Sequence, residues 1–366
     1  MKGKVLVAGF ATRHVVQSAA SAGYEVCAVD HFCDQDLCWN TIDREKFCDL
    51  ADLPDAIHTI SKRHRFDHFV VTSGAEELPT FLPLCGTPKD KIARFMDKLD
   101  NQYFFEDHNV PVPRLLVTGE YPAMVKPRKG AGGWRNTIVR DADDLSAWEN
   151  LYPGIPFIRQ EPVPGVPASV CCVTDGLRAR AIAANEQILR GNGESMYGFS
   201  GSVTPFDHPL CAQMVTRAEQ IAAASGCIGT IGIDFVLGDK TAYAIEVNPR
   251  FQGTIDTVEM AYGCNMFQCH LDACSGKLPP KSVSPLQVAA RSILFAERDF
   301  TLTADLKHLM PHVADIPWPD TFFEEGQAVV SVYGQGPTRE AAFLMLDKHI
   351  STVRQYIRCW IPWTTW

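Results

Sequence analysis

The most constraining feature of this sequence is a pair of apolar segments that lie close together in the chain. Residues 230–237 and 241–248 are rich in β-branched and aromatic side chains, and the turn Gly-Asp-Lys at 238–240 separates them. This pattern predicts two antiparallel strands joined as a hairpin. Both strands are apolar enough to be buried in a sheet, which makes any polar residue within them notable.

Three polar side chains interrupt the hairpin. Residues two apart on a strand share a face, so Glu246 and Asn248 point the same way. Asp234 lies opposite Glu246 if the loop centres on Lys240, and two opposed carboxylates repel unless a positive group lies between them. Oxygen ligands with no soft ligand nearby favour Mg²⁺ or Mn²⁺. The alternative is structural ion pairing, of Asp234 with Lys240 or an arginine and of Glu246 with Arg250.

Composition narrows the class of protein. The chain has 366 residues, 46% of them hydrophobic, which is enough for two or three domains. A net charge of -9 argues against a general nucleic-acid binder. No apolar run is long enough to span a membrane and no signal peptide is evident, so we expect a cytoplasmic protein. The 13 cysteines are expected to be mostly small buried hydrophobes.

The N-terminal segment predicts a β-α-β unit of the doubly wound kind. Strands are expected at 4–10, 25–29 and 69–72, with a helix at 14–22. Residues 73–77 follow the third strand, where such sheets usually bind ligands. An NAD-dependent oxidoreductase would rest only on Gly9 and Asp30, because the other glycines of the dinucleotide motif are missing.

The rest of the chain predicts a mixture of strands and helices. Two prolines at 111 and 113 end a helical, charged stretch, and a glycine ends the later amphipathic helix. The predicted helices are 88–108, 210–225 and 338–357, and the predicted strands include 168–173, 179–184, 290–295 and 328–333.

A glycine-rich segment at 124–136 is the second candidate site. Lys126 is flanked by apolar residues on a short strand, where a buried ammonium group is costly without an anion. The glycines that follow can lay backbone N–H groups around phosphates. Taken alone, this segment fits a flexible turn as well as a phosphate clamp.

In chain order, these pieces together resemble the ATP-grasp superfamily. They are a lysine before Val-Pro-Val-Pro, a lysine before a glycine loop, a Gln-Glu connector, an aspartate strand and Glu-x-Asn-x-Arg. The resemblance implies a combined α/β and α+β fold. Its parts would be a Rossmann-like pre-ATP-grasp domain at 1–95, a two-subdomain ATP-grasp domain at 96–287 with its glycine-loop subdomain near 115–165, and a small carboxylase-like C-terminal α+β domain with the tail at 288–366.

The resemblance also implies roles for individual residues, with ATP and Mg²⁺ (or Mn²⁺) as cofactors. Lys126 and Arg250 match catalytic positions, while Asp234, Glu246 and Asn248 match the metal ligands. The positions matching ATP-binding residues are Lys98, Lys126, Gly130, Gly132, Gly133, Glu161 and Val163. Residues of the 185–202 segment could line the substrate pocket or form an ordinary surface loop; they are Arg190, Tyr197, Gly201 and Ser202.

The implied activity is that of an ATP-dependent carboxylate-amine ligase acting on small molecules through an acyl-phosphate. Mg²⁺ and the cations Lys98, Lys126 and Arg250 would offset the repulsion between two anionic reactants. The alternatives are a biotin-carboxylase-like enzyme that uses bicarbonate and a non-catalytic nucleotide-binding module. A homodimer is possible, and no nucleic acid or membrane partner is expected.

Overall fold

The computed structural model describes residues 2–78, 82–130, 132–191, 196–281 and 283–359. The tail at 360–366 and residues 192–195 of the predicted substrate loop lie outside these residues. Within the described ranges, no helix is long and apolar enough to cross a membrane. The cytoplasmic location stays a prediction.

The N-terminal residues alternate between strands and helices, as predicted. All four strands are parallel and lie in the order β3-β2-β1-β4, so their carboxyl ends meet at one edge. The elements are β1 (Lys4–Ala8), α1 (Arg13–Ser21), β2 (Glu25–Asp30), α2 (Gln35–Trp39), β3 (Asp43–Lys46), α3 (Leu53–Arg63) and β4 (His68–Val71). The Rossmann-like architecture expected from the sequence is confirmed.

The helical stretch predicted over 88–108 is broken in the middle, so the prediction of continuous helical structure was wrong there. The structure has α4 (Lys89–Ile92), a 3-10 turn at 93–96 and α5 (Lys98–Asp107). Asp97 has extended backbone angles, and its carboxylate accepts from Leu99 N and from the Arg128 guanidinium. An aspartate that caps a helix start in this way competes with continuation of the helix before it.

The glycine-loop region forms a small sheet of its own. Its strands pair antiparallel in the order β6-β5-β7, and Trp148 of its helix packs in the small core beneath them. The elements are β5 (Ala123–Pro127), β6 (Thr137–Val139), α6 (Ala142–Leu151) and β7 (Phe157–Gln160).

The largest sheet has eight strands, in the order β12-β11-β8-β9-β10-β13-β17-β15. The predicted C-terminal strands therefore extend the same sheet as the hairpin. Its elements and those packed on it are β8 (Val166–Asp175), β9 (Ala179–Leu189), β10 (Phe199–Thr204), α7 (Cys211–Ser225), β11 (Ile228–Leu237), β12 (Ala242–Asn248), α8 (Ile255–Tyr262), α9 (Met266–Cys274), β13 (Val288–Phe295), β14 (Phe300–Leu302), β15 (Val313–Ala314), β16 (Thr321–Phe323), β17 (Ala328–Gly336) and α10 (Arg339–Cys359). The proposed domain boundaries stay a prediction.

The hairpin of β11 and β12 pairs Asp234 with Glu246, as predicted, but its turn is centred differently. Leu237 pairs with Ala242, which places the centre between 239 and 240 and not on Lys240. A bulge at Ile245 then shifts the register by one residue and restores the pairing of the two carboxylates. The expected juxtaposition is thus produced by a bulge that the sequence argument did not include.

A half-buried carboxylate, Glu259 on α8, ties helix α1 to helix α9. Its Oε1 accepts from the Ser18 hydroxyl at 2.5 Å and from the Met266 backbone N–H at 2.6 Å. Burial raises the pKa of Glu259 from its ordinary 4.5 to about 7, although these hydrogen bonds oppose the shift. The folded protein therefore favours the protonated side chain.

We expect this carboxylate to make stability depend on pH. A carboxyl group whose folded pKa is raised contributes stability that is fully present below pH 4.5 and is lost as the pH rises through about 7. Glu259→Gln keeps the accepting oxygen without the charge, and should raise the free energy of unfolding at pH 8 by up to about 3 kcal/mol, with little change at pH 4. Urea unfolding at both pH values measures this. The exposed Glu149→Gln should show no such change, and equal pH profiles for Glu259→Gln and wild type would contradict the assignment.

Candidate nucleotide and metal site

Asp234 is the centre of a polar cluster at the hairpin. Its carboxylate accepts from the side-chain amides of Asn248 at 2.9 Å, Gln187 at 2.9 Å and Gln252 at 3.1 Å. Burial, and then the neighbouring Glu246 carboxylate, raises the pKa of Asp234 to about 7. The alternative pairing of Asp234 with Lys240 is not what the structure shows, because amides surround this carboxylate.

Sequence reasoning did not predict either glutamine as a partner of Asp234. Gln252 reaches Asp234 by crossing over β11 at Gly232, where an added Cβ would lie 1.7 Å from the Gln252 side chain. A glycine inside an apolar strand is the signal that could have indicated such a close approach. Gln187 comes from β9, two strands away from β11 in the sheet order, and only the fold brings it close.

Two lysines interact electrostatically with Glu246. Lys98 Nζ lies 3.6 Å from Glu246 Oε1. Lys126 is buried, with 8% of its surface exposed, and burial lowers its pKa to about 8, with Glu246 opposing and Lys98 reinforcing the shift. The structure therefore brings together the predicted phosphate lysines and a predicted metal carboxylate. The site has a cationic half beside an anionic half.

The glycine loop follows directly from Lys126. Lys98 Nζ donates to Gly130 O at 2.7 Å, which ties the start of the loop to the start of α5. Gly133 has φ +72, and a Cβ there would lie 2.2 Å from Tyr197 O, so the loop packs against the segment predicted to line the substrate pocket. Gly130 and Gly132 also have left-handed φ angles, of +127 and +70. These conformations and this approach explain the requirement for glycine.

Arg250 turns toward the N-terminal sheet. Its Nε donates to Glu76 Oε1 at 2.6 Å, and its Nη2 donates to Asn248 Oδ1 at 3.3 Å. Glu76 is buried and also accepts from Gly74 N at 2.6 Å. The predicted ligand edge at 73–77 thus reaches the hairpin, and the alternative Glu246–Arg250 pair is replaced by Glu76–Arg250. The role of Glu76 as the partner of Arg250 was not predicted.

The predicted adenine hinge lies between β7 and β8. Glu161 N donates to Arg114 O at 2.9 Å, while its side chain accepts from Arg114 N at 3.0 Å. Val163 is half-buried two residues further on. The geometry fixes the hinge against the segment before β5, and contact of Glu161 and Val163 with adenine stays a prediction.

The predicted substrate residues fall into two groups. Tyr197 lies beside the glycine loop, whereas Arg190 donates to Gly326 O at 2.8 Å and lies over the Phe295 ring. Ser202 is fully buried and hydrogen-bonds Thr257 at 3.1 Å. Gly201 packs on β13, where a Cβ would meet Arg291 O at 2.1 Å. Arg190, Gly201 and Ser202 thus have packing partners within the protein, and their substrate role stays a prediction.

The oxygen set of the hairpin fits a hard divalent cation. Among the described residues, no group of three or more His, Cys, Asp or Glu side chains could hold a metal ion. A cation here would therefore depend on Asn248 and on ligand oxygens in addition to Asp234 and Glu246. Mg²⁺ commonly binds in this way, through one or two carboxylates plus phosphates. The pKa of Asp234 is raised by burial and by the neighbouring Glu246 carboxylate, which is the other proposed carboxylate ligand of the cation.

Comparison with known proteins agrees with this geometry. Residues 95–254 match the family model described as the ATP-grasp domain. This part of the chain is similar to an ATP-grasp domain. The resemblance inferred from the ordered motifs is confirmed, and the matched range contains both lysines, the glycine loop, the hinge and the hairpin.

Relatives and solved structures extend the likeness over most of the chain. An uncharacterised protein of Methanocaldococcus jannaschii is 25% identical over 354 residues, covering 90% of this chain and 87% of the relative. The biotin carboxylase domain of the Hydrogenobacter thermophilus 2-oxoglutarate carboxylase, in complex with MgADP, ADP and bicarbonate, has a TM-score of 0.78 at 14% identity, covering 95% and 89% of the two chains. The phosphoribosylamine–glycine ligase of Thermotoga maritima has a TM-score of 0.73 at 16% identity, covering 95% and 96%. These likenesses confirm the predicted fold class.

The ATP-grasp family is enzymatic, and two of the solved structures similar to this chain are a ligase and a carboxylase domain by name. At the level of the family, the prediction of an ATP-dependent ligase is confirmed.

Proposed function

We propose that this ATP-grasp protein is an ATP-dependent carboxylate-amine ligase that acts on small molecules. The proposal rests mainly on the two contacts of Lys98. Its Nζ donates to Gly130 O of the glycine loop and lies 3.6 Å from Glu246 Oε1 of the hairpin. A nucleotide polyphosphate needs cations on one side and a metal-binding carboxylate set on the other. This site has both.

The proposed chemistry has two balanced steps. A carboxylate oxygen attacks the γ-phosphorus of ATP, the bond from that phosphorus to the bridging oxygen of ADP breaks, and an acyl-phosphate forms. An amine nitrogen then attacks the acyl carbon, the carbon–oxygen bond to phosphate breaks, and the nitrogen loses a proton to give an amide and phosphate. Mg²⁺ held by Asp234, Glu246 and Asn248 would neutralise phosphate charge.

The protein's own side chains account for the remaining requirements. Lys126 and Lys98 would hold the phosphate oxygens, and Lys126 stays cationic at neutral pH although burial lowers its pKa to about 8. Arg250, held at 2.6 Å by Glu76, would bind the carboxylate or the transferring phosphoryl group. The packing of the glycine loop on Tyr197 would exclude water from the acyl-phosphate.

Hydroxylamine provides a test that does not need the natural amine. In a screen of carboxylic acids with MgATP, hydroxylamine traps an acyl-phosphate as a hydroxamate, so we expect hydroxamate and ADP in equal amounts with at least one acid. Asn248→Ala should lower both at least about tenfold, as expected when a ligand of a metal site is removed. Binding of MgATP without ADP formation would instead indicate the non-catalytic module.

A bicarbonate-using carboxylase is the second candidate, because the structural neighbour with the TM-score of 0.78 was solved with bicarbonate. The same assay distinguishes it. Bicarbonate-dependent ADP formation without any hydroxamate from organic acids would favour the carboxylase over the amide-forming ligase.

A further inference from the structure

Four aromatic rings gather at the carboxyl ends of β1, β2 and β3. Phe10 follows β1, His31 and Phe32 follow β2, and Phe47 follows β3; we call these four residues the aromatic cluster. The Phe10 and His31 rings stack with centroids 4.6 Å apart, and Phe32 meets Phe10 edge-on at 5.3 Å. Phe47 is buried, and its ring centroid lies 5.7 Å from that of His31. This contact anchors the cluster in the core of the N-terminal sheet.

The outer part of the cluster is exposed. Phe10 and Phe32 have 36% and 40% of their surface open to solvent, although they are fixed against other rings. His31 Nδ1 is buried and has no hydrogen-bond partner among the described residues. Ordered apolar rings beside an unsatisfied polar atom, at the carboxyl edge of a parallel sheet, are typical of a ligand pocket wall.

A series of contacts links the aromatic cluster to Arg250. Phe10 N donates to Ser73 O at 2.7 Å, and the Cβ of Phe10 is 3.6 Å from the Cβ position of Gly74. Gly74 N in turn donates to Glu76, which holds Arg250 at 2.6 Å. One short loop therefore connects the exposed rings to the arginine that would bind the reacting carboxylate.

We propose that the aromatic cluster binds the apolar end of the carboxylic acid substrate, and that this end carries an aromatic ring. The inference rests on the proposed ligase function, because it places the acid's carboxylate at Arg250. Rings in offset or edge-on contact with Phe10 and Phe32 gain stabilisation beyond that of burial alone. The substrate class is thus an arylalkyl carboxylic acid, and short aliphatic acids are poor substrates. A protein segment is a less suitable occupant, since the loop leads from the rings directly to the reaction centre.

The test compares 3-phenylpropionate with propionate, using MgATP and hydroxylamine. For the wild type we expect a KM at least tenfold lower for 3-phenylpropionate. Phe32→Ala should raise that KM about tenfold, the effect of losing most of one ring's burial, with little change in kcat. The KM for propionate should stay the same. Phe322→Ala removes a ring that is 57% exposed on β16 and serves as the matched control, with no change expected for either acid.

Calorimetric titration of both acids into the protein with MgADP separates the two proposals. Tighter binding of 3-phenylpropionate that is lost in Phe32→Ala, without hydroxamate from any acid, would support the aromatic pocket and overturn the ligase function. Hydroxamate formation with equal KM values for the two acids, unchanged in Phe32→Ala, would overturn the aromatic pocket alone. Equal binding of the two acids by calorimetry also overturns it.

Discussion

Glu246→Gln is expected to abolish Mg²⁺-dependent ATP turnover, with a loss on the order of 100-fold or more, while the fold is retained. Changes in the surroundings of a bound metal already cost about 10- to 100-fold, and Glu246 is itself a proposed ligand. The substitution also removes the anion that lies 3.6 Å from Lys98 Nζ and favours the charged form of Lys126. Two functions of one carboxylate are lost together.

The measurement is ADP formation across a range of Mg²⁺ concentrations, alongside thermal unfolding. Asp239→Asn is the matched control, since it neutralises an exposed carboxylate in the turn of the same hairpin. Turnover should be unchanged in that variant. Wild-type turnover in Glu246→Gln would contradict the role of Glu246 as a metal ligand. A large loss of thermal stability would show that Glu246 stabilises the fold instead.

Lys126→Met should weaken MgATP binding by about 30-fold or more. Truncating one partner of a buried charge pair typically costs 2–5 kcal/mol, of which the lower limit corresponds to about 30-fold. Methionine keeps the apolar volume of this buried side chain, so the strand β5 should still pack. The loss is expected in the dissociation constant from calorimetry, not in the unfolding temperature.

The affinity for MgATP is also expected to depend on pH through Lys126. Burial lowers its pKa to about 8, so the free protein loses this positive charge as the pH rises through 8, and MgATP affinity should fall over the same range. Lys126→Met should show a flat profile there. Lys129→Met, an exposed lysine in the same loop, should bind MgATP as the wild type does. If Lys126→Met and Lys129→Met had equal affinities, the phosphate clamp would be assigned to the wrong lysine.

The sequence determined the local elements and several of the polar residues that the structure brings together at the hairpin. Two apolar segments around a Gly-Asp-Lys turn predicted the strands of the hairpin. The glycine after Ser225 correctly marked the end of α7, because a residue with φ +69 is needed there. The order of short motifs predicted the ATP-grasp family better than any single motif. These features depend on neighbours in the chain, which a sequence displays directly.

Only the tertiary structure decided which partners each polar side chain has. Gln187 and Asp234 are 47 residues apart, and Glu76 and Arg250 are 174 apart. Both contacts depend on how sheets and loops pack, and no periodicity in the chain encodes them. The bulge at Ile245 likewise follows from pairing with β11, and it restores a register that the turn alone would have shifted. The sequence therefore showed which residues can donate or accept hydrogen bonds, and the packed structure showed which of them pair. The reason is that a buried polar group must hydrogen-bond with a group that the fold brings close to it.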